Sequence, residues 1–313
     1  MSSINNQDKA VEIIKLLDRV KTERPDNVMT MYFVQKPSRE KFVSFKPQIS
    51  TNLQKRILDM ILPLAIKSLQ FTVVPYNPIG VADGENELLR QSQVESVDKF
   101  LDSIKADNLY TDMSELKVGR ISFYSLQITY DGYTVYLFRQ FSKMSKLRKG
   151  LISQLVNNEL KEMENDFLGI DELSDMILYD DSLLILNHIS LERVFNYRDE
   201  YLRITNAAIG EIVNQGIMEN VEQFSDDCQR DVRIMKRFTD MMSKDRLPLF
   251  FDHYDKVPDI VDALNLDLEF NEEGKIIYRE KSQLFHIINL MSDAYFKSLL
   301  AERIGVVKTE DTV

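Results

Sequence analysis

The segment Phe138–Gly150, FRQFSKMSKLRKG, holds the most distinctive chemistry in the chain. Arg139, Lys143, Lys146, Arg148 and Lys149 gather there without an acidic residue, in a protein of formal net charge −11. Clustered cations of this kind bind polyphosphates. Each phosphate they neutralise releases counterions, so the attraction is steep in salt and indifferent to base sequence. Ser142 and Ser145 add hydroxyls for phosphate oxygens, and Phe141 can either stack on a base or pack at the end of a strand. The same run also reads as a solvated loop that balances the acidic stretch at 162–181.

A second basic group falls in SDDCQRDVRIMKRFTDMMSKDR (225–246). Read as one helix, it turns Cys228, Val232, Met235, Phe238 and Met242 to a core, and Arg230, Arg233, Arg237 and Lys244 to the opposite side. Such a stripe is either a ridge that follows a nucleic-acid backbone or a solvated face linked to Asp231 and Asp240. The acidic runs 159–175 and 258–273 would repel DNA, steer it toward the basic zones or meet a basic partner.

Other chemistries find little support. The chain has no G-x-x-x-x-G-K-[ST] loop, no G-x-G-x-x-G turn, no G-x-S-x-G elbow and no H-E-x-x-H pair. His188, His253 and His286 share no ligand spacing, and Cys228, the single cysteine, excludes a disulfide framework and a thiolate zinc site. Asp259, Glu273 and Lys275 mimic the Asp…Glu-x-Lys set of metal-dependent nucleases, in which two carboxylates hold a divalent ion. Here Glu273-Gly274-Lys275 falls on a predicted hairpin tip, where such residues serve the turn. No catalytic residue, metal site, cofactor or small-molecule substrate is therefore expected, and the protein reads as a non-enzyme.

These residues must be positioned by a mixed fold. Residues 8–22 carry an apolar helical stripe, 30–35 and 41–45 read as strands, and 50–69 read as a helix that Pro63 kinks or delays. Residues 71–76 are β-rich, with Pro75 suited to a sheet edge, and 87–106 have helical spacing. In ISFYSLQITY-DG-YTVYLFRQF (121–141), Asp131-Gly132 suits a two-residue turn that pairs Tyr130 with Tyr133, Ile128 with Val135 and Leu126 with Leu137. Further β segments fall at 151–157 and at 176–187, the second around Asp180-Asp181. Residues 190–252 look helical throughout, followed by a β-pair at 266–279 and a helix at 282–291. The expected class is α+β: an antiparallel-sheet domain with flanking helices over 1–188, then a mostly helical domain with a short β-hairpin over 189–313.

The N-terminus is polar and then amphipathic, without the apolar core of a signal peptide, and the longest apolar run, Ile61 to Ile66, is far short of the about 20 residues that span a bilayer. An intracellular protein is expected, with any membrane association supplied by a partner. A homodimer is the expected assembly, because soluble oligomers are mostly two-fold symmetric.

Two stretches carry a family resemblance. In DDSLLILNHISLERVFNYRDEY (180–201) an apolar strand leads to Asn187 and then to Phe195 and Tyr197 in a short helix. In FHIINLMSDAYFKSLLAERIGVVKT (285–309) a helix ends at Met291 and Asp293 before a Ser-Leu-Leu exit strand. Together they resemble the KwaB family, the soluble subunits of the Kiwa anti-phage defence system, over most of the chain. The resemblance implies a cytoplasmic protein held at the inner membrane by the integral membrane partner KwaA. It implies an effector that binds double-stranded DNA without strong sequence preference and blocks phage replication and transcription by occupancy. It assigns no DNA-contacting residue, so the basic positions above rest on charge. Two alternatives remain: a scaffold that binds only its membrane partner, through the stripe of helix 8–20 or the aromatic stretch 195–201, and the nuclease just described.

Overall fold

The computed structural model describes residues 6–39, 41–141, 153–156, 159–162, 168–297 and 304–306. The chain divides into two compact units. One comprises the residues up to Tyr76 together with Gly80–Tyr197, and the other Asn77–Ile79 and everything from Arg198 onward.

The first unit runs α1 (Asn6–Glu23), β1 (Met29–Ser38), β2 (Lys41–Phe45), α2 (Thr51–Ser68), β3 (Thr72–Pro75), β4 (Glu85–Arg90), α3 (Glu95–Ser103), β5 (Ile121–Tyr130), β6 (Tyr133–Gln140), β7 (Ser153–Val156), β8 (Glu159–Glu162), β9 (Met176–Tyr179), β10 (Ser182–Ile185) and α4 (His188–Phe195). Eight strands form one sheet in the order β2-β1-β5-β6-β9-β10-β4-β3, antiparallel except for β3 beside β4. Pro75, which has no N–H to give a ladder, lies on the edge strand β3, where a proline is tolerated. β7 and β8 pair only with each other.

Both faces of the sheet are covered. On one, Ala10, Ile13 and Leu17 of α1 and Ile57, Ile61 and Ala65 of α2 share a core with Met31, Phe33, Leu126, Ile128, Val135 and Leu137. On the other, Phe100 of α3 and Phe195 of α4 meet Phe123 and Phe138 edge-on or tilted. Strands buried on both sides have no polar face to alternate with, so every residue of β9 and β10 is buried. The β5–β6 hairpin forms in the expected register, with Asp131 and Gly132 at φ 53° and 79°.

The second unit contains α5 (Arg198–Gln215), β11 (Met218–Glu219), α6 (Val221–Arg230), α7 (Val232–Ser243), α8 (Arg246–Asp252), α9 (Val257–Leu264), β12 (Glu269–Phe270), β13 (Ile276–Ile277), α10 (Leu284–Met291), β14 (Tyr295–Lys297) and β15 (Ile304–Val306). Ile212, Phe224, Cys228, Phe238, Ile276, Tyr278, Ile287 and Met291 build its core. The expected β12–β13 pair forms and gains β11 as a parallel neighbour. The whole is the α+β class anticipated: an antiparallel-dominated sheet with helices, then a helical region with a small hairpin.

Three local expectations need correction. The helix read over 87–106 begins only at Glu95, because residues 85–90 are drawn into β4, where Leu88 and Leu89 pair with Leu184 and Leu183 of β10. Partnership across the sheet overrides the local helical spacing. Pro63 does not delay α2, which runs from Thr51 to Ser68. The helix read over 225–246 is two helices, broken where Asp231 turns extended (φ −110°, ψ 107°) and caps α7 by accepting the Arg233 N–H at 3.0 Å.

Candidate nucleic-acid interface

The two basic segments meet different fates. Arg139 leaves β6 with its guanidinium enclosed by carboxylates. Nε and Nη2 reach the two Asp171 oxygens at 2.9 and 2.6 Å, and Nη1 reaches Asp175 at 2.8 Å. Asp175 is only 1 % exposed and also accepts the Gln140 N–H and the Asn187 amide. Burial pulls the Arg139 pKa down, but the bonds and charges of Asp171 and Asp175 more than reverse it. The acidic run thus compensates this arginine, as the balancing reading supposed. Phe141 packs against the core of the sheet rather than standing free. Lys143, Lys146, Arg148 and Lys149, with Ser142 and Ser145, lie outside the described residues.

In the second unit, the break at Asp231 creates a compact basic face. Arg230 ends α6 and faces Asp226 at 3.4 Å, with 72 % of its side chain exposed. Arg233, 76 % exposed, meets Asp231 at 3.1 Å, and Lys281 approaches the same carboxylate at 3.7 Å. The hydrogen bonds from Arg233 hold the Asp231 carboxyl below its ordinary range. Arg237, one turn after Arg233, donates to the amide oxygen of Asn289 on α10, and burial lowers its pKa. Both guanidiniums lie over the ring of Phe285. Lys244 instead closes the end of α7 and pairs with Asp240 at 3.1 Å. The structure therefore groups Arg233 and Arg237, adds Lys281 and Phe285, leaves Arg230 paired with Asp226 on α6, and sets Lys244 at the far end of its helix. Lys281 and Phe285, four residues apart, were missed because only the packing of α10 on α7 brings them to this face.

Two members of the nuclease set, Glu273 and Lys275, serve the turn expected for them. Lys275 pairs with Glu273 at 2.7 Å, and the Asn271 side chain accepts both of their backbone N–H groups, as in a tight turn. Asp259 lies in the first turn of α9. Among the described residues, no group of three or more His, Cys, Asp or Glu side chains is arranged to hold a metal ion. The histidines serve packing and hydrogen bonding where their contacts are on view. His188 bonds the buried Glu87 at 2.7 Å and stacks on Tyr76, and His286 bonds Tyr295 at 2.8 Å.

A family model described as Kiwa protein KwaB-like matches residues 119–301. The chain belongs to that family. No curated protein and no solved structure matches it. The match makes this KwaB-like chain a component of a Kiwa anti-phage defence system, with a partner within that system. It spans β5 to β14 and includes the basic face on α7 and α10.

The residues that carried the KwaB resemblance have structural work. Asn187 donates to Asp175 and precedes α4, Phe195 fills the aromatic core, and Tyr197 meets Tyr76 edge-on. Met291 is fully buried, and Asp293 takes the left-handed conformation (φ 52°) just after α10. The Ser-Leu-Leu exit strand lies outside the described residues. No described helix of the KwaB-like chain is long and apolar enough to cross a membrane.

Proposed function

We propose that this KwaB-like protein is the DNA-binding effector of its defence system. It holds double-stranded DNA without strong sequence preference and obstructs replication and transcription by occupancy rather than by cutting. The observation that carries this reading is the face formed by Arg233, Arg237 and Lys281 on a chain of net charge −11. Cations concentrated in one place on an acidic body draw a polyanion to that place and repel it elsewhere. The Lys143–Lys149 cluster would add a second contact.

The integral membrane protein KwaA is the proposed partner, which would place the effector in the cytoplasm at the inner membrane, and a homodimer would double the basic surface. The scaffold alternative loses both docking surfaces first considered for it. The stripe of α1 is buried in the sheet core, and Phe195, Tyr197 and Tyr201 are all buried.

The test is transcription in vitro from a DNA template with increasing protein, followed by deproteinisation and a gel. Occupancy predicts that output falls in step with bound protein while the template stays full length in the Mg²⁺ that transcription itself requires. A shortened template would overturn it in favour of hydrolysis. Unchanged transcription on saturated DNA would leave binding without the block.

A further inference from the structure

Phe285 is the aromatic ring of the basic face, and 39 % of it is exposed. The Arg237 Cζ lies 5.3 Å from its centroid and the Arg233 Cζ 5.9 Å. The two arginines are four residues apart on α7, so both guanidiniums reach the same neighbour. Asn289, one turn beyond Phe285 on α10, accepts from Arg237 at 2.5 Å. That acceptor is neutral, and Asp240, the carboxylate whose charge reaches Arg237, is itself paired with Lys244 at 3.1 Å. Cation–π contact holds the ring in place before anything binds, which lowers the entropic cost of using it.

A partly exposed aromatic ring beside two guanidiniums suits one kind of nucleic acid best. In a duplex, the neighbouring base pairs cover both faces of each base. Only an unpaired or everted base can lie on a protein ring, with its flanking phosphates on nearby cations.

We propose that Phe285 is a stacking platform for an unpaired nucleobase, with Arg233 and Arg237 contacting the adjacent phosphates. This rests on the DNA-binding reading above and adds a substrate class to it, namely single-stranded or locally opened DNA. A protein with such a site would hold forks and transcription bubbles more tightly than closed duplex.

The test uses the full-length protein with a single-stranded oligonucleotide carrying one 2-aminopurine, and the duplex of the same sequence. The chain has no tryptophan, so the probe is read without protein interference. Wild-type protein should quench the single-stranded probe on binding. Phe285→Leu, which keeps an apolar side chain, should weaken single-strand affinity by between about fivefold and about 150-fold and abolish the quench. Duplex affinity should change by less than about twofold, because closed base pairs do not reach the ring. Phe285→Tyr should restore both readouts and guards against a folding defect in the leucine variant. If the wild type holds duplex while Phe285→Leu leaves single-strand binding untouched, or weakens both forms equally, the stacking site is wrong and the broader reading stands. Wild-type protein that retains neither form defeats both.

Discussion

Arg139 Nη1 lies 2.8 Å from Oδ1 of Asp175, a carboxylate sealed between β6 and the start of α4. The same arginine grips Asp171, so one guanidinium fastens the chain before β9 to the hairpin strand. Removing it would strand a buried charge. Arg139→Ala should cost about 2–3 kcal/mol, somewhat below a fully enclosed pair because Asp175 keeps two other donors. Chemical denaturation reads this as a lower midpoint with an unchanged slope. A stability change within about 0.5 kcal/mol would mean that the clamp is ornamental.

Asp231 restrains Arg233 and Lys281 while capping α7. Asparagine caps nearly as well as aspartate but carries no charge. Asp231→Asn should therefore leave thermal stability almost unchanged and tighten DNA binding, because Arg233 and Lys281 no longer have a competing carboxylate. Weaker binding by a well-folded variant would show that this face does not meet DNA.

Cys228 is fully buried, and burial pushes its thiol well above the ordinary range. The thiolate is the reactive form, so a thiol reagent should fail to label the native protein at pH 8 and label it fully in denaturant. Rapid native labelling would indicate that the packing of α6 against α7 opens readily.

Charge reversal at Lys146 and Arg148 tests the basic run that follows β6. The double variant Lys146→Glu, Arg148→Glu should bind DNA more weakly and with a shallower salt slope. If affinity and slope both hold, DNA contact rests on the α7–α10 face alone.

Features set by neighbouring residues were legible in the sequence. The β5–β6 register follows from Asp131-Gly132, because a two-residue turn with both φ positive admits one pairing. The arms around Asp180 were legible from a polar pair set between two apolar runs, with Asp180 at φ 56° in the turn. β4 was not, since its identity depends on β10, roughly a hundred residues further on, offering it an edge. The candidate site divides along the same line. Arg233 and Arg237 announce themselves by spacing on one helix, whereas Phe285 and Lys281 join them only through tertiary packing. The helix periodicity over 225–246 also concealed the break at Asp231, the residue that organises this face.

The most direct test of DNA occupancy is a binding titration of the purified protein on duplex DNA across salt. Three phosphate contacts from Arg233, Arg237 and Lys281 predict a log–log slope of about −3, steeper still if the Lys143–Lys149 run takes part. Affinity that falls along such a slope is the expected result. No retention even at low salt would contradict the account and leave any DNA contact to the assembled membrane complex.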